Sequence, residues 1–258
     1  MLARAAATTV IAVAAAAAVA SGSPSPLSSA PAAAPPAPSS LTRRVVIDPG
    51  HGGSNPGALG ASGVHVKQLP RAIAGQVQQR LLARGIDARL TRTHDVTMTL
   101  RQRVAIANQL PADLFISIHG NASPTRTQRG YETYVLTPRG VDIDARALRS
   151  DTTTPRPGLD AATALILDDV ERGAAQWEAA DLAADLQARL RTVWGPTGDR
   201  GVRQDSQHVL LGATMPAVLV EVGFVDHPIE GRELLTPARQ AAIADAIADA
   251  LTAALDAR

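Results

Sequence analysis

The sequence contains no cysteine and few aromatic residues, with two each of Phe, Trp and Tyr among 258 residues. Without cysteine, the chain has no disulfide, no thiolate metal site, no cysteine nucleophile and no lipid-modified cysteine anchor. Any metal must therefore be bound by His, Asp or Glu. The net charge of +1 gives no indication of a nucleic-acid partner. Because aromatic residues make up only 2% of the chain, alanine, leucine and valine must form most of its core.

The first 42 residues have the composition of an export signal followed by a linker. Arg4 precedes an apolar run, and Ala18-Val19-Ala20 is an A-x-A motif, so residues 1–20 are predicted to be a cleaved signal peptide. An uncleaved anchor is the alternative, but the run of about 15 residues is shorter than the roughly 20 that a spanning helix needs. Residues 21–42 are rich in Ser, Pro and Ala and predict an extended linker. We expect an exported protein of the periplasm or extracellular cell envelope, with no stable membrane span after cleavage.

Residues 43–258 alternate between strand and helix patterns. Short apolar runs predict strands at residues 44–48, 86–91, 113–119, 131–136, 207–211 and 217–221. Apolar residues at helical spacing predict helices at residues 69–84, 100–107, 161–172, 176–193 and 237–255. This order predicts a single α/β domain, phosphorylase/hydrolase-like, with a mostly parallel sheet of about six strands flanked by helices. We interpret residues 139–177, which begin with an irregular stretch, as an insertion.

Polar residues follow three of the predicted strands. His51 lies just after the first strand, His119 ends the third, and Glu221 ends the last. Ligands of α/β sheets bind at the carboxyl ends of the strands, so these side chains are expected to converge. Two neutral imidazoles suit zinc, and a carboxylate that does not bind the metal can deprotonate a bound water. The pattern therefore predicts a zinc hydrolase.

Four blocks of sequence strengthen this interpretation. They are Val46-Ile-Asp-Pro-Gly-His-Gly-Gly53, Ser117-Ile-His-Gly-Asn-Ala122, Arg200-Gly-Val202 and Met215-Pro-Ala-Val-Leu-Val-Glu-Val-Gly-Phe224. Together they resemble the signature blocks of the zinc-dependent N-acetylmuramoyl-L-alanine amidases of the cell-separation type. The resemblance implies a six-stranded α/β fold, one Zn²⁺ bound by His, Glu and His, and a second Glu as general base. It implies His51 and His119 as zinc ligands, Glu221 as the base, and peptidoglycan as the substrate.

The ligand Glu of that family is absent from this sequence. Aligning the family's block with residues 63–74 places the ligand position at Val66, and residues 52–83 contain no Asp or Glu. His65 is either a substitute ligand or an ordinary loop histidine, and the amide of Gln68 is a poor zinc ligand. Catalytic zinc sites use three protein ligands and a water, so the loss predicts weak zinc binding.

Three functions remain open from the sequence. The first is hydrolysis of the bond between N-acetylmuramic acid and L-alanine in peptidoglycan. The second is a catalytically impaired homologue that binds peptidoglycan or an envelope partner, as the valine at position 66 favours. The third is a zinc hydrolase with another amide substrate. Some relatives carry an inserted helix that covers the active site until an activator protein removes it.

Residues 139–177 either form such a cover or pack on the sheet. In the first case an acidic side chain reaches the metal, and the candidates are Asp168, Asp169 and Glu171. Trp177 is either an exposed anchor for a partner or a packing residue. Asp48 is expected to orient the turn that bears His51. We expect a solvated or salt-bridged face from Arg92, Arg101 and Arg103, and solvated or capping roles for His94, His208 and His227.

Overall fold

The computed structural model of the chain describes residues 43–137, 158–205 and 209–258. Its strands are β1 (Arg44–Pro49), β2 (Asp87–Leu90), β3 (Leu114–Asn121), β4 (Tyr131–Leu136), β5 (Asp199–Asp205) and β6 (Ala217–Phe224). Its α-helices are α1 (Gln68–Ala83), α2 (Leu100–Gln109), α3 (Ala161–Trp194), α4 (Glu230–Glu233) and α5 (Pro237–Asp256), and a 3-10 turn spans Pro196–Gly198. Among the described residues, no helix combines the length and apolar character needed to cross a bilayer. The predicted signal peptide, linker and irregular stretch at 139–157 lie outside the described residues.

The six strands form one sheet in the order β2-β1-β3-β6-β4-β5. Strands β2, β1, β3 and β6 are parallel to one another, whereas β4 pairs antiparallel with β6 and parallel with β5. The predicted mostly parallel α/β sheet is thus confirmed, with two strands reversed. The segment between β3 and β4 contains no helix to carry the chain back across the sheet, so β4 begins at the edge where β3 ends.

Two predicted elements differ from the structure. The helices expected at residues 161–172 and 176–193 are one helix of 34 residues, α3, because the intervening Gly-Ala-Ala contains no proline and Gly173 does not adopt the positive φ of a C-cap glycine. The strand expected at residues 207–211 is wrong, since residues 209–212 form a turn. The sixth strand is instead β5, whose mostly polar residues are exposed or partly exposed and give no apolar pattern at the edge of the sheet.

The two faces of the sheet bury separate clusters of apolar residues. The larger cluster joins one face to α1, α3 and α5, and it includes Ile47, Ile73, Ile118, Leu186, Val220 and Leu251. The smaller cluster lies on the opposite face beside α2, and it includes Val46, Val104, Phe115, Leu210 and Leu219. The central strands are therefore buried on both sides, which explains why their sequences read as continuous apolar runs.

Helix α1 follows the predicted periodicity. Leu69, Ile73, Val77 and Leu81 recur every four residues and are buried on the face that packs against the sheet. The helix stops as predicted before Gly85, whose φ of 75° is the left-handed conformation that glycine adopts most readily. This helix fixes the loop that precedes it, where Val66 lies.

Candidate active site

The strand register sets three polar side chains in a row across the sheet. His119 on β3 is paired with Glu221 on β6, and Glu221 is paired in turn with Glu132 on β4. Residues paired directly across neighbouring strands project to the same face of the sheet. The row lies toward the carboxyl ends of β3 and β6, where binding sites form in open α/β sheets.

The two predicted metal-binding histidines meet at one end of this row. The ring centroids of His51 and His119 are 4.9 Å apart, with the ring planes at 61°. Close approach requires glycine at position 50, because a Cβ atom there would lie 2.5 Å from Nε2 of His119. Burial lowers the pKa of His51, which favours the neutral imidazole that binds metals. The structure therefore brings the two rings together, with the His51 ring favoured in the neutral form that binds a metal ion.

Buried arginines hold the turn that carries His51. Arg103 donates to the carboxylate of Asp48 (2.8 Å), the carbonyl of Pro49 (2.8 Å) and the carbonyl of His51 (2.6 Å). Arg92 donates to the carbonyls of Pro49 (3.0 Å) and Gly50 (2.8 Å). Both arginines are only 3% exposed. Of the two expected alternatives, a solvated face is wrong for this pair, because the carbonyl oxygens of the turn replace water around the guanidinium groups, whereas a salt bridge is present between Arg103 and Asp48.

This network also accounts for the conformation of His51. Its φ of 56° lies in the left-handed region, which a residue with a side chain adopts only when its surroundings hold it there. Asp48 fixes the strand end beneath it by accepting hydrogen bonds from Arg103, Thr91 and Ser117. Asp48 therefore lies in the orienting position indicated by the sequence. The imidazole direction of His51 depends on these buried contacts.

Glu221 is partly accessible, yet its Oε2 atom is buried and has no hydrogen-bond partner among the residues that the structure describes. Burial, and then the nearby charge of Glu132, raises the pKa of Glu221 to about 8. A carboxyl group that retains its proton near neutral pH is typical of catalytic acids and bases. Glu221, the residue predicted to be the base, is thus the member of the row whose pKa is strongly raised.

Sequence reasoning missed Glu132, which lies next to Glu221. Its Oε1 atom accepts hydrogen bonds from Asn121 (2.7 Å) and Tyr134 (3.0 Å), and its Oε2 atom contacts Arg200 (2.8 Å) and Arg203 (2.7 Å). Four donors saturate this buried carboxylate. The Arg200-Gly-Val202 block contained a signal for it, but only the reversed direction of β4 shows which carboxylate the arginine contacts.

Val66 lies between the two histidine-bearing segments, where the family's ligand Glu was expected. A Cβ atom on Gly57 would lie 2.0 Å from Cγ1 of Val66 and 3.0 Å from the ring of His51. A Cβ atom on Gly120, the neighbour of His119, would lie 2.9 Å from Cγ2 of Val66. The valine is 2% exposed and belongs to the larger apolar cluster. An apolar side chain therefore occupies the expected third ligand position.

His65 is exposed, whereas its neighbour Val66 is buried. The side chain of Gln68 is also exposed. Within residues 43–137, 158–205 and 209–258, no group of three His, Cys, Asp or Glu side chains has an arrangement that would hold a metal ion. The residues present thus supply two imidazoles and do not complete the three-ligand set that the resemblance implies.

The other residues considered from the sequence are exposed, bind neighbouring backbone groups or lie outside the described part of the chain. His94 and Arg101 are exposed, and Nδ1 of His227 accepts the backbone N–H groups of Ile229 and Glu230. Trp177 is 77% exposed on α3, so it is not a packing residue among the described contacts. The side chains of Asp168 and Asp169, and all of His208, lie outside the described residues. Glu171 is exposed.

Sequence comparisons give a consistent result. The family model Amidase_3, described as N-acetylmuramoyl-L-alanine amidase, matches residues 45–253. The N-acetylmuramoyl-L-alanine amidase AmiA of Escherichia coli (strain K12) is 34% identical over 215 residues, which cover 80% of this chain and 74% of AmiA. The uncharacterized protein YqiI of Bacillus subtilis (strain 168) is 30% identical over 214 residues, covering 83% of this chain and 85% of YqiI.

Solved structures show the same fold. The catalytic domain of CwlV, an N-acetylmuramoyl-L-alanine amidase from Bacillus (Paenibacillus) polymyxa var. colistinus, matches with a TM-score of 0.64 and 30% identity. The match covers 84% of this chain and 99% of that domain. An N-acetylmuramoyl-L-alanine amidase from Clostridium difficile 630 matches with a TM-score of 0.65 and 26% identity, covering 85% of this chain and all (100%) of that one.

Replacing Arg103 with alanine should disturb the turn that carries His51. The change leaves the carboxylate of Asp48 buried without its cation, which typically costs about 3–5 kcal/mol of stability. We expect a lower urea midpoint and a shifted NMR signal of the His51 imidazole. Arg101→Ala is the matched control on the same helix, because Arg101 is exposed. Equal effects of the two substitutions would contradict this role of Arg103.

The raised pKa of Glu221 predicts a pH-dependent contribution to stability in metal-free protein. The group retains its proton to about pH 8 in the folded state but ionises near 4.5 when unfolded. Its stabilising contribution is therefore complete below about 4.5 and is lost as pH rises through about 8. Glu221→Gln, which mimics the protonated group, should gain on the order of a few kcal/mol over the native chain between these limits. Urea unfolding in chelator across this pH range measures the difference, and a pH-independent difference would refute it.

Proposed function

This chain belongs to the N-acetylmuramoyl-L-alanine amidase family, and from that membership we propose that it hydrolyses the amide bond between N-acetylmuramic acid and L-alanine in peptidoglycan. The observation that carries the proposal is the convergence of His51, His119 and Glu221. His119 and Glu221 are paired directly across β3 and β6, and the ring centroids of His51 and His119 are 4.9 Å apart. Folding alone requires no such grouping of polar side chains at the edge of the sheet.

Glu221 is the proton carrier in this proposal. Its carboxylate takes a proton from the attacking water, and the resulting acid returns that proton to the leaving nitrogen of L-alanine. A neutral carboxyl group cannot accept the first proton, so the base role requires alkaline pH or positive charge in the site. Glu132 does not share this role, because each of its two oxygens is already engaged by two donors.

Zinc is the metal that the family uses, and His51 and His119 are its proposed ligands here. The apolar side chain of Val66 removes the anionic ligand, and His65 is exposed whereas Val66 is buried. Loss of even an outer partner of a zinc site typically costs about 10–100-fold in affinity or activity, so we expect weaker zinc binding than with a carboxylate at position 66. The chain is therefore proposed to be a hydrolase whose metal affinity is reduced.

The proposed site of action is the cell envelope, reached after export through the predicted signal peptide. Peptidoglycan is the partner that the family membership supports. An activator protein that acts on the segment at 139–177 is a further hypothesis, and the exposed Trp177 is the described residue that favours it.

Restoring a carboxylate at position 66 should increase zinc affinity at least about 10-fold. Val66→Glu places an anionic oxygen beside the two imidazoles, whereas Val66→Gln has the same volume without the charge. Zinc titration calorimetry and metal content of the purified chains measure the effect. We also expect zinc to raise the thermal stability of the glutamate variant more than that of the glutamine variant. Equal zinc binding by both variants would show that position 66 is not a ligand position.

Glu221→Gln should reduce the release of stem peptides from purified sacculi by about 100-fold or more, since it removes the general base. Glu233→Gln, an exchange of the same type on α4, is the control and should keep the native rate. Native rates in Glu221→Gln would remove this residue from the base role. A native chain that binds sacculi without releasing peptides, in zinc and at any pH, would establish the binding homologue instead. Release of a different product would establish another amide substrate.

A further inference from the structure

A tight turn follows His51 and brings Asn55 back beside it. The backbone N–H of Gly52 donates to the carbonyl of Asn55 (2.8 Å), and the N–H of Asn55 donates to the carbonyl of Gly52 (3.0 Å). These two hydrogen bonds close the turn through Gly53, whose φ of 57° is a left-handed conformation that glycine permits. The backbone of Asn55 is therefore fixed next to His51.

Neighbouring segments hold this turn from outside. The carboxylate of Asp95 accepts the N–H of Gly53 (2.7 Å), and Oγ1 of Thr97 accepts the N–H of Ser54 (2.8 Å). The ammonium group of Lys67 donates to Asp95 (2.6 Å) and to the carbonyl of Gly53 (3.1 Å). The turn thus has supports that do not involve the side chain of Asn55, so a substitution there should leave the turn in place.

The side chain of Asn55 makes two contacts through one atom. Its Oδ1 atom lies 3.2 Å from Nδ1 of His51 and 3.2 Å from the backbone nitrogen of Gly57. A backbone N–H can only donate, so the atom that it contacts must be the amide oxygen and not the amide nitrogen. That oxygen can only accept, so Nδ1 of His51 must carry a proton. The contact with Gly57 therefore decides the direction of the hydrogen bond at the imidazole.

The proton on Nδ1 determines the state of the other ring nitrogen. Burial lowers the pKa of His51, which favours the neutral ring, and a neutral imidazole carries a single proton. With that proton on Nδ1, the Nε2 atom has a free lone pair. Across residues 43–137, 158–205 and 209–258, no group hydrogen-bonds Nε2 of His51. Nε2 is consequently the nitrogen that can bind a ligand.

We propose that Asn55 is a positioning residue, which selects the tautomer of His51 with the proton on Nδ1 and so makes Nε2 the atom that binds the metal ion. A metal-binding histidine typically donates its other ring N–H to a carboxylate, a carbonyl or water, and this contact fixes the tautomer and the orientation of the ring. The neutral amide of Asn55 provides that contact here without adding a negative charge. The inference rests on the proposed function, because it concerns a proposed zinc ligand of the same site.

The tautomer can be measured in the metal-free chain. Two-bond ¹H–¹⁵N NMR spectra, recorded at a pH at which the ring is neutral, distinguish protonated from unprotonated ring nitrogens, and His51→Gln identifies the signals of His51. In the native chain Nδ1 should be protonated and Nε2 unprotonated. Asn55→Ala should shift the ring toward the other tautomer, whereas Asn55→Asp retains an acceptor oxygen and should keep the native one. A native chain with the proton on Nε2 would overturn the proposal.

Ser54→Ala is the matched control in the same turn, because the hydroxyl of Ser54 contacts Thr97 (3.0 Å) and not His51. It should keep the native tautomer. If Asn55 only held the loop, Asn55→Ala would speed hydrogen exchange of the Gly57 amide but leave the tautomer unchanged, and this result would refute the proposal.

Zinc titration calorimetry tests the consequence for metal binding. The comparison is made in the Val66→Glu chain, for which the higher affinity is expected. Adding Asn55→Ala should weaken zinc binding about 10–100-fold, whereas adding Ser54→Ala should not. Equal affinities would refute the assignment of Nε2 as the binding atom. A native chain that shows the predicted tautomer, and its dependence on Asn55, but releases no peptide from sacculi would retain the inference while refuting the amidase proposal.

Discussion

The site depends on two guanidinium groups that are buried beneath the turn between β1 and α1. Arg92 and Arg103 together bind the carbonyl oxygens of three successive residues, Pro49, Gly50 and His51. Asp48 is the carboxylate that contacts Arg103, so backbone dipoles supply much of the compensation for two buried charges. An arrangement of this kind is stable only with the turn in one conformation. The direction of the His51 ring, and hence its meeting with His119, follows from it.

The sequence predicts those parts of the site that lie at the ends of apolar strands. His51, His119 and Glu221 are readable because a parallel sheet brings carboxyl ends together. Glu132 is not readable in this way, since it lies at the start of β4 and joins the row only through the reversed direction of that strand. Arg103 is also hidden, because a cation on an amphipathic helix has the same sequence pattern whether it faces solvent or a buried turn. The spacing of apolar residues indicates which apolar side chains are buried, but it carries little information on buried charged groups.

The same limit explains the errors in the fold. Strand β5 is polar and lies at the edge of the sheet, so its sequence resembles that of a loop. Helix α3 continues through Gly173, where the cost of about 1 kcal/mol for a glycine is smaller than the gain from the packing of the rest of the helix. Val66 presents the opposite case. The resemblance implies a ligand at this position, and the structure shows that the valine is part of a continuous apolar cluster that closes the space between Gly57 and Gly120.

The outermost strands of the sheet have a consequence for the behaviour of the protein at high concentration. Unpaired backbone groups along an edge strand are a template for association with a second molecule, and charged side chains oppose it. At one margin β2 bears Asp87 and Arg89, and at the other β5 bears Arg200 and Arg203. Any strand that added to either margin would have to desolvate these ions. The arginines of β5 that contact Glu132 thus also protect the open sheet against self-assembly into larger aggregates.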